Sequence, residues 1–295
     1  MDNQFTKAPH LHPMMSLDNT YDAEDLREFE VRIRRILDKE RSYGTLEYVV
    51  EYKFDGLGIA LLYEGGKLVR ALTRGDGQMG EDITLNVREI TNIPQSIPYS
   101  KTIEIRGEVV MSRNSFDELN HKRLQAGEKL FANPRNAASG SLRQLDPTVT
   151  RERDLLFFAY SCPDLEEIHK NNIQEEATYF SLIQKLGSWG FQTSAQWSQG
   201  ALFFEKKSGI ESIVNMIHEM GKKPTCPFDI DGLVIKINNL HLWSILGMTS
   251  HHPRYAISFK FPAEYARTRI IDIEHSVGRT GTITPVAHVE PVNIM

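Results

Sequence analysis

The chain has 295 residues, of which 40% are hydrophobic and 25% are charged, as is usual for a globular protein. Its formal net charge of −5 provides no overall positive field for nucleic acid, but it is compatible with a local basic surface. No segment approaches the roughly 20 apolar residues of a membrane span, and the first residues lack the pattern of a signal peptide. The two cysteines, Cys162 and Cys226, have no metal-ligand spacing, so we expect free thiols in a reducing, cytoplasmic compartment.

The first half of the chain predicts one helix followed by strands. Residues 1–19 are irregular, whereas Leu26, Phe29 and Ile33 recur at helical spacing in the segment that follows. From Leu46 the hydrophobic period changes to two, which is typical of strands. The predicted strands are LEYVVEYKF, GIALLY, KLVRALTRG and TIEIRGEVVMS, with a hairpin turn at EGG before the third.

The second half mixes helices and strands. The predicted helices are RNSFDELNHKRLQAG, EEATYFSLIQKLGSWG, GIESIVNMIHEMGKK and LHLWSILGM, while FANPRNAASGSLRQLDP predicts a loop with one helical turn. The predicted strands are LLFFAYSCP, FDIDGLVIKINN and RYAISFKFPA. From Arg267, short strands with a turn at GRTG are typical of the start of a small β-barrel, and the pattern stops before such a barrel can close. We therefore expect the chain to be a fragment at its C-terminus.

Charged residues lie within several otherwise apolar strands. Because side chains alternate across a strand, Glu51, Lys53 and Asp55 point to one face. Three further strands carry charges in the same way, and these charges are Arg106 with Glu108, Lys236, and Lys260. Four such strands predict sheets that meet around a polar cleft.

A lysine in such a cleft predicts nucleophilic chemistry. Lysine attacks once it has lost its proton, and desolvation and neighbouring cations favour that loss. The cations Lys236, Lys260 and Arg74 suit a phosphate group, and the carboxylates Asp55 and Glu108 suit Mg²⁺. The alternative, a set of structural salt bridges at strand edges, explains the same pattern equally well.

Other motifs are less specific. The chain lacks the phosphate-binding GxxxxGK[ST] and dinucleotide-binding GxGxxG patterns. The stretch TRGDGQMGED allows the backbone to approach a ligand closely, and it is as readily a plain loop. No metal-ligand partners accompany His10, His12, His251 and His252, which we expect at the surface. Tyr160 could stack on a base, although an aromatic residue in a strand is more often part of a core.

Ordered motifs along the chain resemble those of the bacterial NAD-dependent DNA ligases. KFDG is similar to the KxDG motif that ATP-dependent ligases and capping enzymes share with this family. The more specific motifs are HPMMSLDNTYDAEDL, TRGDGQMGEDITLNVR, RGEVVMS, FANPRNAASGSLRQLDP, FDIDGLVIK, HHPRYAISFKFPAE and VGRTGTITPVAHVEPV. From about His12 to Val292, the chain is identified as a fragment that contains the adenylation domain of this family.

The resemblance implies roles for individual residues. Lys53 is implied to be the nucleophile that takes AMP from NAD⁺, Glu51 to contact the adenine, and Tyr160 to stack on it. The other implied residues of the nucleotide site are Ser16, Leu17, Asp55, Gly56, Arg74, Glu108, Asp231, Lys236 and Lys260, with Glu108 as a ligand of Mg²⁺. Arg135 and Arg143 are implied to contact phosphate or DNA.

Two positions do not follow the simple pattern. Alternation places Asp231 off the face of Lys236, so we expect its role to be indirect or set by a strand end. Lys223 stands where the family usually has arginine. Lysine cannot reproduce a bidentate guanidinium contact, so no role is carried over to that position.

The implied fold is α+β, with antiparallel sheets and helices around a nucleotide cleft, as in nucleotidyltransferases and ATP-grasp-like ligases. The expected domains are a linker remnant at residues 1–19, an adenylation domain at 20–265, and the truncated start of an oligonucleotide-binding (OB) barrel at 266–295. From the resemblance we expect this sequence to lack the family's nicotinamide-mononucleotide-binding domain, zinc-binding cysteine cluster and helix-hairpin-helix repeats.

The implied activity is the sealing of DNA nicks in replication and repair. NAD⁺ would supply AMP, Mg²⁺ would be the cofactor, and nicked double-stranded DNA would be the partner of the full-length protein. We expect a monomer that binds no membrane, and a fragment that holds adenosine better than it reacts with NAD⁺ or seals nicks. The alternatives are an ATP-dependent ligase or capping enzyme, which shares KxDG alone, and a nucleotide- or DNA-binding module without catalysis.

Overall fold

The computed structural model describes residues 5–40, 45–166, 177–196, 203–221, 224–262, 266–278 and 280–292. The chain divides into two compact units, Met1–Lys260 and Phe261–Met295, which are described separately. Lys223, where the family usually has arginine, lies outside the described residues.

The described elements include both strands and helices along the whole of the larger unit. The strands are β1 (Lys7–Pro9), β2 (Asn19–Thr20), β3 (Glu47–Phe54), β4 (Leu57–Glu64), β5 (Lys67–Thr73), β6 (Met79–Glu81), β7 (Ile103–Met111), β8 (Leu155–Ser161), β9 (Phe204–Ser208), β10 (Ile230–Ile237), β11 (Ala256–Lys260), β12 (Ile270–Val277) and β13 (Ile283–Val289). The helices are α1 (Ala23–Leu37), α2 (Thr84–Val87), α3 (Arg113–Gln125), α4 (Pro134–Leu142), α5 (Pro147–Arg151), α6 (Tyr179–Ser188), α7 (Ile210–Met220) and α8 (Leu240–Leu246).

The described strands of the larger unit form two large sheets and the short pair β1-β6, and the predicted α+β class with antiparallel sheets is confirmed. One sheet has the strand order β2-β11-β10-β3-β9 and the other has the order β5-β4-β7-β8. The pairs are antiparallel except for β2 with β11. The predicted hairpin joins β4 to β5 through Gly65 and Gly66, both with positive φ. Residues from both sheets, such as Val49, Leu61 and Ile105, are completely buried and form the core.

The first helix follows from the predicted pattern. Asp22 caps α1, because its side chain accepts a hydrogen bond from the Asp25 backbone N–H. Leu26, Phe29 and Ile33 are buried on one face of the helix, as their spacing predicts. The irregular structure predicted for residues 1–19 is wrong at residues 7–9 and at Asn19. There β1 and β2 pair with β6 and β11, which are remote in sequence.

The prediction of a single helical turn within residues 131–147 is also wrong. Helix α4 spans nine residues, Pro134–Leu142. Asn133 caps it by accepting from the Asn136 backbone N–H, and Pro134 occupies the first turn, where its missing N–H costs nothing. Ala137 and Ala138 are fully buried, so small side chains let this polar-looking segment pack closely.

The smaller unit contains an antiparallel pair of strands. β12 and β13 pair from Ile270 with Val289 to Val277 with Ile283. Every residue of the two strands is exposed. The expectation that they begin an OB barrel stays a prediction, as do the domain boundaries at residues 19 and 265.

Candidate functional site

A cavity of about 720 Å³ lies in the larger unit, within the size range of small-molecule sites. Strands of both sheets line it, together with the segment from His12 to Asn19. The residues implied for a nucleotide site that line the cavity are Ser16, Leu17, Glu51, Lys53, Gly56, Arg74, Glu108, Arg135, Tyr160 and Lys236. Asp55, Asp231 and Lys260 do not line the cavity. Asp55 and Asp231 pair with the lining residues Arg135 and Lys53, and Lys260 pairs with Asp231.

Lys53 and Lys260 share one carboxylate. Lys53 Nζ donates to Asp231 Oδ1 and Oδ2 at 2.8 and 2.9 Å, and Lys260 Nζ donates to Oδ2 at 2.6 Å. A β-bulge between Ile230 and Gly232 makes this contact possible. The extra residue in β10 shifts Asp231 relative to strict alternation and turns it toward Lys53.

The charge state of Asp231 depends on its two lysine partners. Burial favours the neutral acid and opposes ionisation, but the hydrogen bonds and charges of Lys260 and Lys53 outweigh it and lower the pKa of Asp231. Asp231 is therefore an anion near neutral pH, flanked by two ammonium groups. The lysine at the cavity wall is thus held in position by a fixed counter-ion.

A second buried network lies next to this one. Lys236 Nζ is 2.8 Å from Glu51 Oε1, and both side chains are less than a tenth exposed. The Tyr179 hydroxyl lies 2.9 Å from the same Glu51 oxygen and 2.8 Å from the Tyr160 carbonyl oxygen. Tyr179 was missed by sequence reasoning, because an aromatic residue at the start of an amphipathic helix predicts only core packing. No sequence signal distinguishes it.

Glu108 is an unpaired carboxyl group at the cavity wall. Within the described part of the chain, its side chain makes no hydrogen bond or ion pair. Burial raises its pKa to about 7, although Lys53 and Arg135 pull it in the opposite direction. Glu108 is only half-buried, so its oxygens can meet a ligand in the cavity. A cation bound there would favour the ionised form.

The arginines implied in phosphate or DNA contact occupy different places. Arg135 lines the cavity and pairs with Asp55 at 2.8 Å. Arg143 pairs with Glu81 at 2.8 Å and is not part of the cavity lining. Arg74 lines the cavity, and among the described residues its guanidinium has no carboxylate partner.

The residues from His12 to Asn19, the N-terminal strap, form one wall of the cavity and are held by a charged network. Arg106 is buried against Glu104 and donates to the backbone carbonyls of His12 and Pro13. The side chain of His12 is about one-third exposed, and its Nε2 lies 3.1 Å from Asp164 Oδ1. Ser16 and Leu17 reach the cavity because this network fixes the strap.

Gly56 is required by close packing. A Cβ atom at this position would lie 2.2 Å from the Val109 carbonyl oxygen in the neighbouring sheet strand. No side chain fits there without moving the backbone, so the turn between β3 and β4 needs glycine. This turn places Lys53 and Asp55 beside Glu108.

The described residues contain no cluster of three or more His, Cys, Asp or Glu side chains arranged for a metal ion. In the same ranges, no helix is both long and apolar enough to cross a membrane.

Comparisons with known proteins identify relatives of this chain. The family model described as "NAD-dependent DNA ligase adenylation domain" matches residues 2–264. Proteins named DNA ligase from Bacillus licheniformis and Aquifex aeolicus are each 43% identical over 291 and 301 residues. These matches cover 98% and 100% of this chain, but only 41% and 40% of the relatives. The chain therefore spans about two fifths of the length of these curated relatives.

Solved structures give a weaker similarity. The chain titled "Pmar-Lig_PreS3" has a TM-score of 0.49 at 14% identity, covering 95% of this chain and 54% of that chain. A similarity of this size does not establish a common fold.

Proposed function

Because this chain belongs to the family of adenylation domains of NAD-dependent DNA ligases, we propose that it binds NAD⁺ in the cavity and transfers AMP to Lys53. The observation that carries this proposal is the position of Lys53, a partly buried amine at the cavity wall that shares the carboxylate of Asp231 with the neighbouring cation Lys260. Such an amine is protected from bulk water and oriented by a fixed carboxylate, as a nucleophile should be.

The proposed step forms one bond and breaks one. Lys53 Nζ, after its ammonium group has released one proton to solvent, attacks the adenylyl phosphorus of NAD⁺ and forms a nitrogen–phosphorus bond. The attached nitrogen then releases a second proton to solvent. The bond to the bridging oxygen breaks, and nicotinamide mononucleotide leaves with that oxygen and its electron pair. Charge on the phosphate can be met by Lys260, which shares Asp231 with Lys53, and by Arg74, which lines the same cavity as Lys53.

The hydrogen-bonding pattern of adenine matches the network formed by Glu51 and Lys236 at the cavity wall. The Watson–Crick edge of adenine offers an amino donor beside a ring nitrogen acceptor. Glu51 is an acceptor and Lys236 is a donor, and their charged atoms lie 2.8 Å apart at the cavity wall. A 6-oxopurine has the opposite pattern and would leave both groups mismatched. The ring of Tyr160, which also lines the cavity, would stack on the base.

Mg²⁺ fits the donor set of the cavity. Glu108 provides an unpaired carboxyl group and Asp55 a second one nearby, and Mg²⁺ usually binds to one or two carboxylates, waters and substrate phosphates. When bound, the ion would offset negative charge on the phosphate. Arg135, which holds Asp55 in this structure, would be available to phosphate if Asp55 turned toward the ion.

The later steps belong to the whole enzyme, because this chain covers about two fifths of its relatives. In the proposed sequence, AMP passes from Lys53 to the 5′-phosphate of a nick in double-stranded DNA. Attack by the 3′-hydroxyl then seals the strand and releases AMP. Arg143, outside the cavity and about half exposed, is proposed to contact DNA. We place this activity in replication and repair in the bacterial cytoplasm, with a monomeric enzyme.

Intact-mass spectrometry tests the first step. The protein is incubated with Mg²⁺ and either NAD⁺ or ATP, and is compared with Lys53→Ala. Gain of one AMP by the wild type alone, from NAD⁺ alone, supports the proposal. A gain from ATP alone would instead indicate the ATP-dependent class. If the protein binds AMP, carries no AMP at the outset and forms no adduct with either nucleotide, the result would indicate a nucleotide-binding module without catalysis.

A further inference from the structure

The hydroxyl of Tyr179 lies where the two sheets meet behind the cavity. It is within hydrogen-bond distance of Glu51 Oε1 in β3, the Tyr160 carbonyl oxygen in β8 and Lys236 Nζ in β10. Tyr179 is fully buried and comes from α6, which belongs to neither sheet. Lys236 Nζ also lies 4.1 Å from the centre of its ring. One phenol therefore connects the three strands that present Glu51, Tyr160 and Lys236.

The donors and acceptors of this cluster leave one oxygen of Glu51 available. Lys236 can only donate, and the hydroxyl of Tyr179 can donate its single proton to Glu51 Oε1 or to the Tyr160 carbonyl. Both groups thus converge on Oε1, at 2.8 and 2.9 Å. Within the described residues, Oε2 has no hydrogen-bond partner. The carboxylate is therefore anchored through one oxygen and offers the other as an acceptor.

We infer that Tyr179 is a positioning residue for base selection, acting through Glu51. This inference rests on the proposed function, because it assumes that a purine occupies the cavity. Without the hydroxyl, Oε1 keeps the ammonium of Lys236 as its one partner among the described residues, and Lys236 can draw both carboxylate oxygens toward itself. Glu51 then turns away from the base. Binding of adenine weakens, and discrimination against a 6-oxopurine is reduced.

The substitution Tyr179→Phe removes the hydroxyl and keeps the ring. AMP and IMP, which differ in the amino or oxo group at position 6, are titrated calorimetrically against both proteins. The wild type is expected to prefer AMP by at least roughly tenfold. Tyr179→Phe is expected to reduce this ratio by roughly fivefold, the effect of one modest hydrogen bond. In a protein that already carries Glu51→Gln, adding Tyr179→Phe should not change the ratio further, because the carboxylate through which Tyr179 acts is absent.

Tyr63→Phe is the matched control. Tyr63 is also fully buried, and its hydroxyl donates to the Pro94 carbonyl at 2.6 Å, outside the cavity lining. Both variants should lower the melting temperature, but Tyr63→Phe should keep the wild-type ratio. Titrations in the cold with trimethylamine oxide keep weakened variants folded.

The outcomes separate the two proposals. A wild type that binds AMP and IMP equally would contradict adenine recognition in this cavity, and hence the proposed function. If the wild type prefers AMP and Tyr179→Phe keeps the same ratio of AMP to IMP affinity, the role of Tyr179 is overturned and the proposed function is not. That role is also overturned if Tyr63→Phe lowers the ratio as much, or if Tyr179→Phe stays unfolded under the stabilising conditions.

Discussion

Lys53 Nζ and Asp231 Oδ1 lie 2.8 Å apart, although regular alternation along β10 would turn Asp231 to the opposite face from Lys236. The bulge between Ile230 and Gly232 resolves this conflict. It inserts one residue opposite Lys53, so that Asp231 and Lys236 both reach the side of β3 that carries Glu51 and Lys53. Local irregularity in the strand therefore creates the contact that positions the proposed nucleophile.

Asp231→Asn is expected to slow formation of the AMP adduct by roughly tenfold to a hundredfold, the value of a lost charge-assisted hydrogen bond. The neutral amide leaves the two ammonium groups of Lys53 and Lys260 without a counter-ion, so they separate. The measurement is the rate of mass gain with NAD⁺ and Mg²⁺. Asp229→Asn is the matched control. Asp229 precedes Asp231 by two residues in sequence, and its carboxylate pairs with Arg113 at 2.8 Å and not with Lys53. Equal rates for the two variants would contradict a specific role for Asp231.

The pH dependence of stability should reveal Glu108. Because burial raises its pKa to about 7, the folded protein holds this proton more tightly than the unfolded chain. Protonated Glu108 therefore contributes stability that is complete below about pH 4.5 and is lost as pH rises through about 7. After a discount for partial exposure, the loss is on the order of 2 kcal/mol.

Denaturant unfolding between about pH 5 and about pH 8 measures this contribution. Relative to Glu108→Gln, the free energy of unfolding of the wild type should decrease with rising pH. The variant Glu64→Gln, at an exposed position, should retain the wild-type profile. If the wild type and Glu108→Gln had parallel profiles, the environment inferred for Glu108 would be wrong.

Sequence patterns predicted the longer elements, in which apolar residues recur at a regular spacing. The alternation in β3, β4, β7 and β10 and the apolar stripe of α1 were sufficient to locate them. Short strands carry no such signal, because the two residues of β2 are specified only by their partner β11. Helix α4 was underestimated because small and polar residues take the place of the expected apolar stripe.

The alternation of side chains along the strands predicted only part of the candidate site. Glu51 and Lys53 share a face of β3, and both line the cavity as that pattern predicts. The position of Asp231 depends on a bulge, which requires knowledge of the paired strand. Tyr179 becomes part of the site only when α6 packs behind Glu51, a contact between residues 128 positions apart in sequence. Long-range packing of this kind leaves no local pattern.

Two glycines near the turn between β3 and β4 should respond differently to alanine. At Gly56 a Cβ would lie 2.2 Å from the Val109 carbonyl oxygen, so Gly56→Ala is expected to lower the free energy of unfolding by about 1–3 kcal/mol. At Gly58 the nearest atoms would be Glu108 Oε2 at 3.5 Å and the Tyr160 hydroxyl oxygen at 3.6 Å. Gly58→Ala should therefore stay within about 1 kcal/mol of the wild type and weaken AMP binding, because its methyl group enters the cavity.

Chemical denaturation and AMP titration of both variants check this contrast. Gly127→Ala controls for substitution in open space, since no atom lies within 4 Å of its Cβ, although its φ of +69° adds some backbone strain. A Gly58→Ala protein with unaltered AMP affinity would show that the base or phosphate does not pass between Glu108 and Tyr160.

Arg135 should act in the first chemical step because of its location in the cavity. Its guanidinium lies 2.8 Å from Asp55, beside the proposed phosphate position. Arg135→Ala is expected to slow AMP-adduct formation by roughly tenfold, through loss of a charged phosphate contact. Arg151 pairs with Glu89 in a comparably exposed ion pair that does not line the cavity, so Arg151→Ala should react within roughly twofold of the wild type. Rates of mass gain from NAD⁺ distinguish the two variants. Equal slowing of both would assign the effect to general loss of surface charge and would remove Arg135 from the site.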